Sequence, residues 1–145
     1  MRARVPWVLL VALLVVVPGC GGPKFAAVSG RVTLNGKPLA NATVSFQPIA
    51  TEGSSNPGPG SAAKTDANGA YTLETSTGQS GAVVGQHRVI ISALESQVGE
   101  SDARPPRGGW PMTDSVPKRY NADSQLTFDV PSGGTSKADF ELTAP

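Results

Sequence analysis

The chain has 145 residues, the length of one ordinary domain, and its 12 Lys+Arg against 11 Asp+Glu leave a formal net charge of +1. That balance excludes a protein drawn to nucleic acid by charge. One Cys and one His exclude an intramolecular disulfide, a Cys-cluster metal site and multi-His catalysis.

Arg2 and Arg4 form a short positive segment, followed by an eleven-residue uncharged apolar run at residues 7–17. That run is shorter than the roughly 20 residues a membrane-spanning helix needs, and it suits the apolar region of a secretory signal. Val17-Pro18-Gly19-Cys20 closes it. Small residues just before a Cys, directly after such a run, resemble the lipobox of bacterial lipoproteins. The resemblance implies removal of residues 1–19 and lipidation of Cys20. Val17 and Pro18 depart from the usual Leu and Ala or Ser, whereas Gly19, Gly21 and Gly22 fit. An alternative is a secreted protein with a free Cys20, or a short uncleaved anchor. Lipidation would explain the odd Cys, and several acyl chains make a stable anchor where one holds only marginally. Gly rather than Asp after Cys20 resembles sorting to the outer membrane in a Gram-negative host. Cleavage would remove two Arg and take the charge from +1 to −1.

Residues 20–26 read as a tether and 27–143 as the body. Val28, Gly30, Val32 and Leu34 alternate with Ser29, Arg31 and Thr33, the pattern of a half-buried strand. Asn35-Gly36 is a hairpin turn signal. Ala42, Val44 and Phe46 predict a second strand, ended by Pro48. Residues 50–64 are rich in Gly, Ser and Pro and predict a flexible loop. A tight turn at residues 66–69 leads into a strand with Tyr71 and Leu73 inside. Residues 86–94 give the strongest strand signal, with Val89, Ile91 and Ala93 on one face and Ile90 on the other, as in a central strand. Residues 95–117 predict a second flexible loop, holding four Pro and Trp110. Leu126, Phe128 and Val130, then Ala138, Phe140 and Leu142, predict two closing strands. Six or seven short strands without an amphipathic helix predict an all-β sandwich or barrel.

Four segments together resemble the carboxypeptidase regulatory-like domain, also described as transthyretin-like, as found in small bacterial lipoproteins. They are residues 28–46, residues 65–73, residues 81–92, and Val116-Pro117-Lys118-Arg119-Tyr120-Asn121 with the closing Asp139-Phe140-Glu141-Leu142. The resemblance covers residues 26–143. It implies a seven-stranded antiparallel β-sandwich of the transthyretin type, with no cofactor. It carries over no catalytic residue, because the domain is an accessory in carboxypeptidases. Asn41 and Val84 stand where the family often has Gly and Pro.

Asp66-x-Asn68-Gly69 echoes the start of a calcium loop, but its twelfth position is Thr77 rather than a bidentate Glu. A turn in which Asp66 bonds nearby backbone N–H groups is the expected arrangement, and no metal site is expected. His87 is expected near the surface at a strand start, and neither a Gly-x-Ser-x-Gly elbow nor an HExxH motif accompanies it. Arg104, Arg107, Lys118 and Arg119 form a loose basic group around Trp110 and Tyr120. Trp110, Tyr120, Arg107 and Arg119 are the candidate binding residues, suited to stacking on a sugar or contacting an anionic glycan. The plainer alternative is a solvated loop whose Trp packs over the end of the sandwich. The sequence therefore suggests a lipid-anchored, non-enzymatic envelope module whose partners are the membrane through Cys20 and an envelope protein or glycan, with no nucleic acid. A glycan or small-ligand binder using the 104–120 loop is the alternative. A hydrolase, by analogy with transthyretin-like hydrolases of purine breakdown, is remote because those use several His. Exposed strand edges would allow pairing with another chain.

Overall fold

Alternating β-branched and aromatic residues, punctuated by Gly, Pro and Asn, make short strands along the described residues of this chain. The computed structural model, which describes residues 22–52, 56–96, 107–109 and 111–145, is accordingly all-β. Phe25–Ala26 (β1) precedes Ser29–Leu34 (β2). Asn35 and Gly36, both at positive φ, reverse the chain into Lys37–Pro38 (β3), which pairs back on β2. Thr43–Pro48 (β4) and Ser61–Lys64 (β5) follow, then Ala70–Thr72 (β6), Glu74–Thr75 (β7) and Ala82–Val83 (β8). Gly85–Ser92 (β9), Leu94–Ser96 (β10), Met112–Asp114 (β11), Thr127–Val130 (β12) and Phe140–Leu142 (β13) complete the series. A 3-10 turn at Lys118–Tyr120 is the one helical element among the described residues.

One sheet runs β12–β9–β4–β5–β7 and is antiparallel throughout; β4 is its middle strand, and β9, expected to be central from Ile90, is internal between β12 and β4, with Ile90 half-buried. The second is β13–β2–β3, with β6 also paired to β2. The pairs β1–β8 and β10–β11 are separate ribbons. Val44, Phe46, Val89 and Ile91 from the first sheet share one buried cluster with Val28, Val32, Phe140 and Leu142 from the side of the second. Phe46 joins the two. Its ring meets Phe128 of β12 at 5.7 Å and Phe140 of β13 at 6.1 Å, both edge-on. The architecture is thus sandwich-like. Leu34, Leu126 and Phe128, expected inside, are half-buried at the margin of this core.

Several expectations are corrected. The second sheet is not wholly antiparallel: β13 runs parallel to β2, with Phe140 beside Val32 and Leu142 beside Leu34. The chain reaches β2 by a long connection and draws alongside it from the Val28–Thr135 bridge onward, so no hairpin forces an antiparallel return. The tether is shorter than residues 20–26, because β1 pairs with β8 and buries Ala26. The loop expected over 50–64 stops at β5. Ser61 and Ala63 turn toward the core while Ala62 and Lys64 turn out, an alternation of side chains too small to register as hydrophobic. The loop expected over 95–117 contains the β10–β11 ribbon. It is fastened by a carboxylate rather than by apolar side chains: Asp114 Oδ1 accepts the N–H groups of Ala93 and Val116, each at 2.9 Å.

The turn at residues 66–69 forms as expected. Asp66 Oδ1 accepts the N–H groups of Asn68 at 2.8 Å and Ala70 at 2.9 Å, so the carboxylate serves the turn. The preceding Thr65 is one the sequence does not flag. It is buried, its Oγ1 donates to the Leu39 carbonyl at 2.6 Å, and it accepts the Ala42 N–H at 2.9 Å.

Candidate functional site

Trp110, Arg104 and Cys20 lie outside the described residues. Arg107 is exposed at the turn before Gly108 and Gly109. Arg119 and Tyr120 are brought together by the 3-10 turn that Pro117 introduces. The Arg119 guanidinium lies 4.8 Å from the Tyr120 ring centroid. It donates to the Thr143 carbonyl and, at 3.0 Å, to Thr143 Oγ1. The Tyr120 hydroxyl sits 3.3 Å from Thr143 Oγ1 and accepts the Thr143 N–H at 3.3 Å. These two side chains therefore clamp the segment leaving β13 to the 117–120 turn, with the Arg119 Nη2 group engaged within the chain.

The clamp has an electrostatic signature. Hydrogen bonding from Thr143, then from Arg119, pulls the Tyr120 phenol down to about 8. Tyr71 moves the other way, because burial and then the nearby Asp139 charge disfavour its phenolate. Its hydroxyl donates to the Ala138 carbonyl at 2.6 Å. The chain has two tyrosines. A phenolate absorbance titration is therefore expected to show half the tyrosine signal rising with a midpoint of about 8. The other half should appear only on alkaline unfolding. Arg119→Ala should move the first midpoint toward the ordinary tyrosine value; an unmoved midpoint would reject the clamp.

His87 is the main correction at residue level. It is fully buried, not near the surface. It shares a face with Val89, Ile91 and Ala93, and because β9 already begins at Gly85 it lies within the strand. Across the strand pairs it stands opposite Pro48 and Phe128. Its ring packs 5.7 Å from Phe46. Nδ1 lies 2.9 Å from the Gly85 carbonyl, and Nε2 has no partner among the described residues. Burial holds the imidazole below its usual titration range, against the Gly85 bond and the Asp129 charge, which favour protonation. The stability His87 contributes is full above its unfolded value of about 6.5 and is lost as pH falls through the lower folded value. The melting temperature is thus expected to fall on going from pH 7 to pH 5, and His87→Leu should flatten that slope.

Two concavities accompany these residues. An open groove of about 670 Å³ lies along β2, β6 and β13, bordered by Arg31, Lys64, Asp66, Asp139 and Glu141. Two of its carboxylates are already engaged: Asp139 Oδ1 accepts the Arg31 N–H at 2.8 Å, and Asp66 holds its turn. A smaller groove of about 300 Å³ lies over His87 at the end of the fold where β1 enters. Periodicity misses both, since they arise where separate strands meet. The parity of residues 87, 89 and 91 is the one signal in the sequence for His87. Among the described residues, no three His, Cys, Asp or Glu side chains gather as a metal site, and no helix is long and apolar enough to cross a membrane. Comparison with family models, curated proteins and solved structures finds no match to this chain.

Proposed function

We propose that this protein is a lipid-anchored, non-enzymatic module of the bacterial cell envelope, held at the membrane through Cys20. The observation that carries the reading is the apolar run at residues 7–17 ending in Gly19-Cys20, the chain's single cysteine. We further propose that the body is a transthyretin-like, carboxypeptidase regulatory-like scaffold of seven principal strands. The four resembling segments and the sandwich-like all-β architecture support that assignment. The strand β1 begins at Phe25, so four residues, 21–24, separate the anchored Cys20 from the folded body, a span from Cys20 to Phe25 of at most about 18 Å. A body on so short a leash works at the membrane surface rather than across the periplasm.

Intact mass of the protein from membranes of its own host tests the anchor. The expected species lacks residues 1–19 and carries acyl groups on Cys20, and the Cys20→Ser variant leaves the membrane fraction. An unmodified wild-type mass in the soluble fraction would overturn it.

A further inference from the structure

Two Asn-Gly pairs stand in tight turns, and the fold treats them oppositely. In this dipeptide the side-chain amide is most open to attack by the next backbone nitrogen, because glycine has no Cβ to shield it. At Asn68-Gly69 that nitrogen is held. Gly69 is buried, its N–H donates to the Asp66 carbonyl at 2.9 Å, and its carbonyl accepts the Val32 N–H at 2.8 Å. A Cβ on Gly69 would stand 2.3 Å from the Val32 oxygen, so the peptide has no room to turn. Gly36 is the opposite case. It is exposed, nothing beyond its chain neighbours lies within 4 Å of its Cβ position, and its N–H has no hydrogen-bond partner among the described residues. Asn35 is exposed too, and its Oδ1 accepts the Ala144 N–H at 2.9 Å. A donor on that oxygen stabilises the negative charge that gathers there when a nucleophile adds to Cγ.

We propose that Asn35 is a self-modification site, deamidating through a cyclic imide with Gly36 while the same dipeptide at Asn68 stays intact in the folded protein. The Gly36 nitrogen loses its proton and bonds to Asn35 Cγ. The Cγ–Nδ2 bond breaks, and Nδ2 leaves as ammonia with that proton. Water then opens the ring, giving aspartate when it attacks Cγ and isoaspartate when it attacks the main-chain carbonyl. One water enters and one ammonia leaves, with nothing oxidised or reduced. Isoaspartate carries the backbone through the former side chain, one methylene longer. The tight turn into β3 then no longer closes in register. The carbonyl that held Ala144 becomes part of the main chain, so a slow change at the end of β2 loosens the segment leaving β13.

The test holds the full chain in mildly alkaline buffer, folded and, in parallel, unfolded in urea. Trypsin then separates the two sites, because cleavage after Arg31, Lys64 and Arg88 puts Asn35 in residues 32–64 and Asn68 in residues 65–88. Fragmentation of each peptide in the mass spectrometer assigns the amide-to-acid mass gain to one residue. In the folded protein Asn35 is expected to convert at least about tenfold faster than Asn68, the worth of the hydrogen bond that must break before the Gly69 nitrogen can attack. In urea the two should convert at closely similar rates. The isoaspartate form should also exchange its Ala144 amide hydrogen faster, whereas Asn35→Asp, which keeps the backbone length and an oxygen acceptor, should not. Equal conversion of the two sites in the folded protein, faster conversion at Asn68, or an Asn35 that stays intact while the unfolded chain converts would each overturn the proposal. So would a preference for Asn35 that persists in urea, since it would then belong to the flanking residues and not to the fold, or an Ala144 amide that exchanges no faster in the isoaspartate form.

Discussion

Phe46→Ala is expected to cost about 3–5 kcal/mol, read as a lower urea midpoint at unchanged slope. Folded domains of this size have a net stability of only about 5–15 kcal/mol, so the variant would lose about a fifth of it or more. The reason is position as much as size. Phe46 is fully buried on β4, and its ring touches His87, Phe128 and Phe140, reaching β9, β12 and β13 at once. Removing it leaves a cavity between two sheets that are each held by backbone ladders and cannot collapse freely. Phe128→Ala is the comparison. That ring is only half-buried, and its loss should cost distinctly less. Equal costs would show that Phe46 is not the joint between the sheets.

Gly30→Ala is expected to destabilise by about 3 kcal/mol, the upper end for overpacking, and to lower the melting temperature by roughly 10 °C or more. A single methyl group does this because of what it meets. A Cβ on Gly30 would stand 2.0 Å from the Ala138 carbonyl oxygen and 2.4 Å from its carbon. Both are backbone atoms, so no side-chain rotation relieves the contact. That carbonyl also accepts the Tyr71 hydroxyl, and Ala138 donates its own N–H to Ser29 at 3.1 Å. Pushing it away disturbs the approach to the parallel β13–β2 pair. Gly133→Ala is the control, since nothing lies within 4 Å of its Cβ position. A near-neutral Gly30→Ala would mean that the crossing is loose.

Strands with strong alternation are legible in the order of the amino acids alone. Val44 and Phe46, Val89 and Ile91, Phe140 and Leu142 carry large apolar side chains at period two, and all six are buried. Turns with special backbone needs are equally legible, as at Asn35-Gly36 and Asp66. What escapes is held by groups whose chemistry has no period. Ser61–Lys64 pairs through its backbone with small side chains, and Asp114 and Thr65 fasten segments that read as plain loop. His87 escapes for a different reason. Its parity points inward, but a polar residue beside Arg88 near a strand end suggests the surface. Of the candidate binding residues, Arg119 and Tyr120 do stand beside one another, yet their partner Thr143 cannot be read from the sequence, because that contact joins positions 24 and 23 residues apart through tertiary structure.

The pairing of β2 with β13 also dictates when the protein can be finished. Arg31 donates its N–H to Asp139, 108 residues later, and β2 gains its parallel neighbour only from Phe140–Leu142. Closing so long a stretch is entropically costly, and non-local β pairing is slow. An early strand therefore waits through nearly the whole of synthesis with one edge bare. Until residue 142 has emerged the second sheet is incomplete and the Phe46–Phe140 contact between the sheets cannot form. A chain exported as proposed here would gain from that delay: it would stay extended and threadable during passage, and gain its final shape only on the far side.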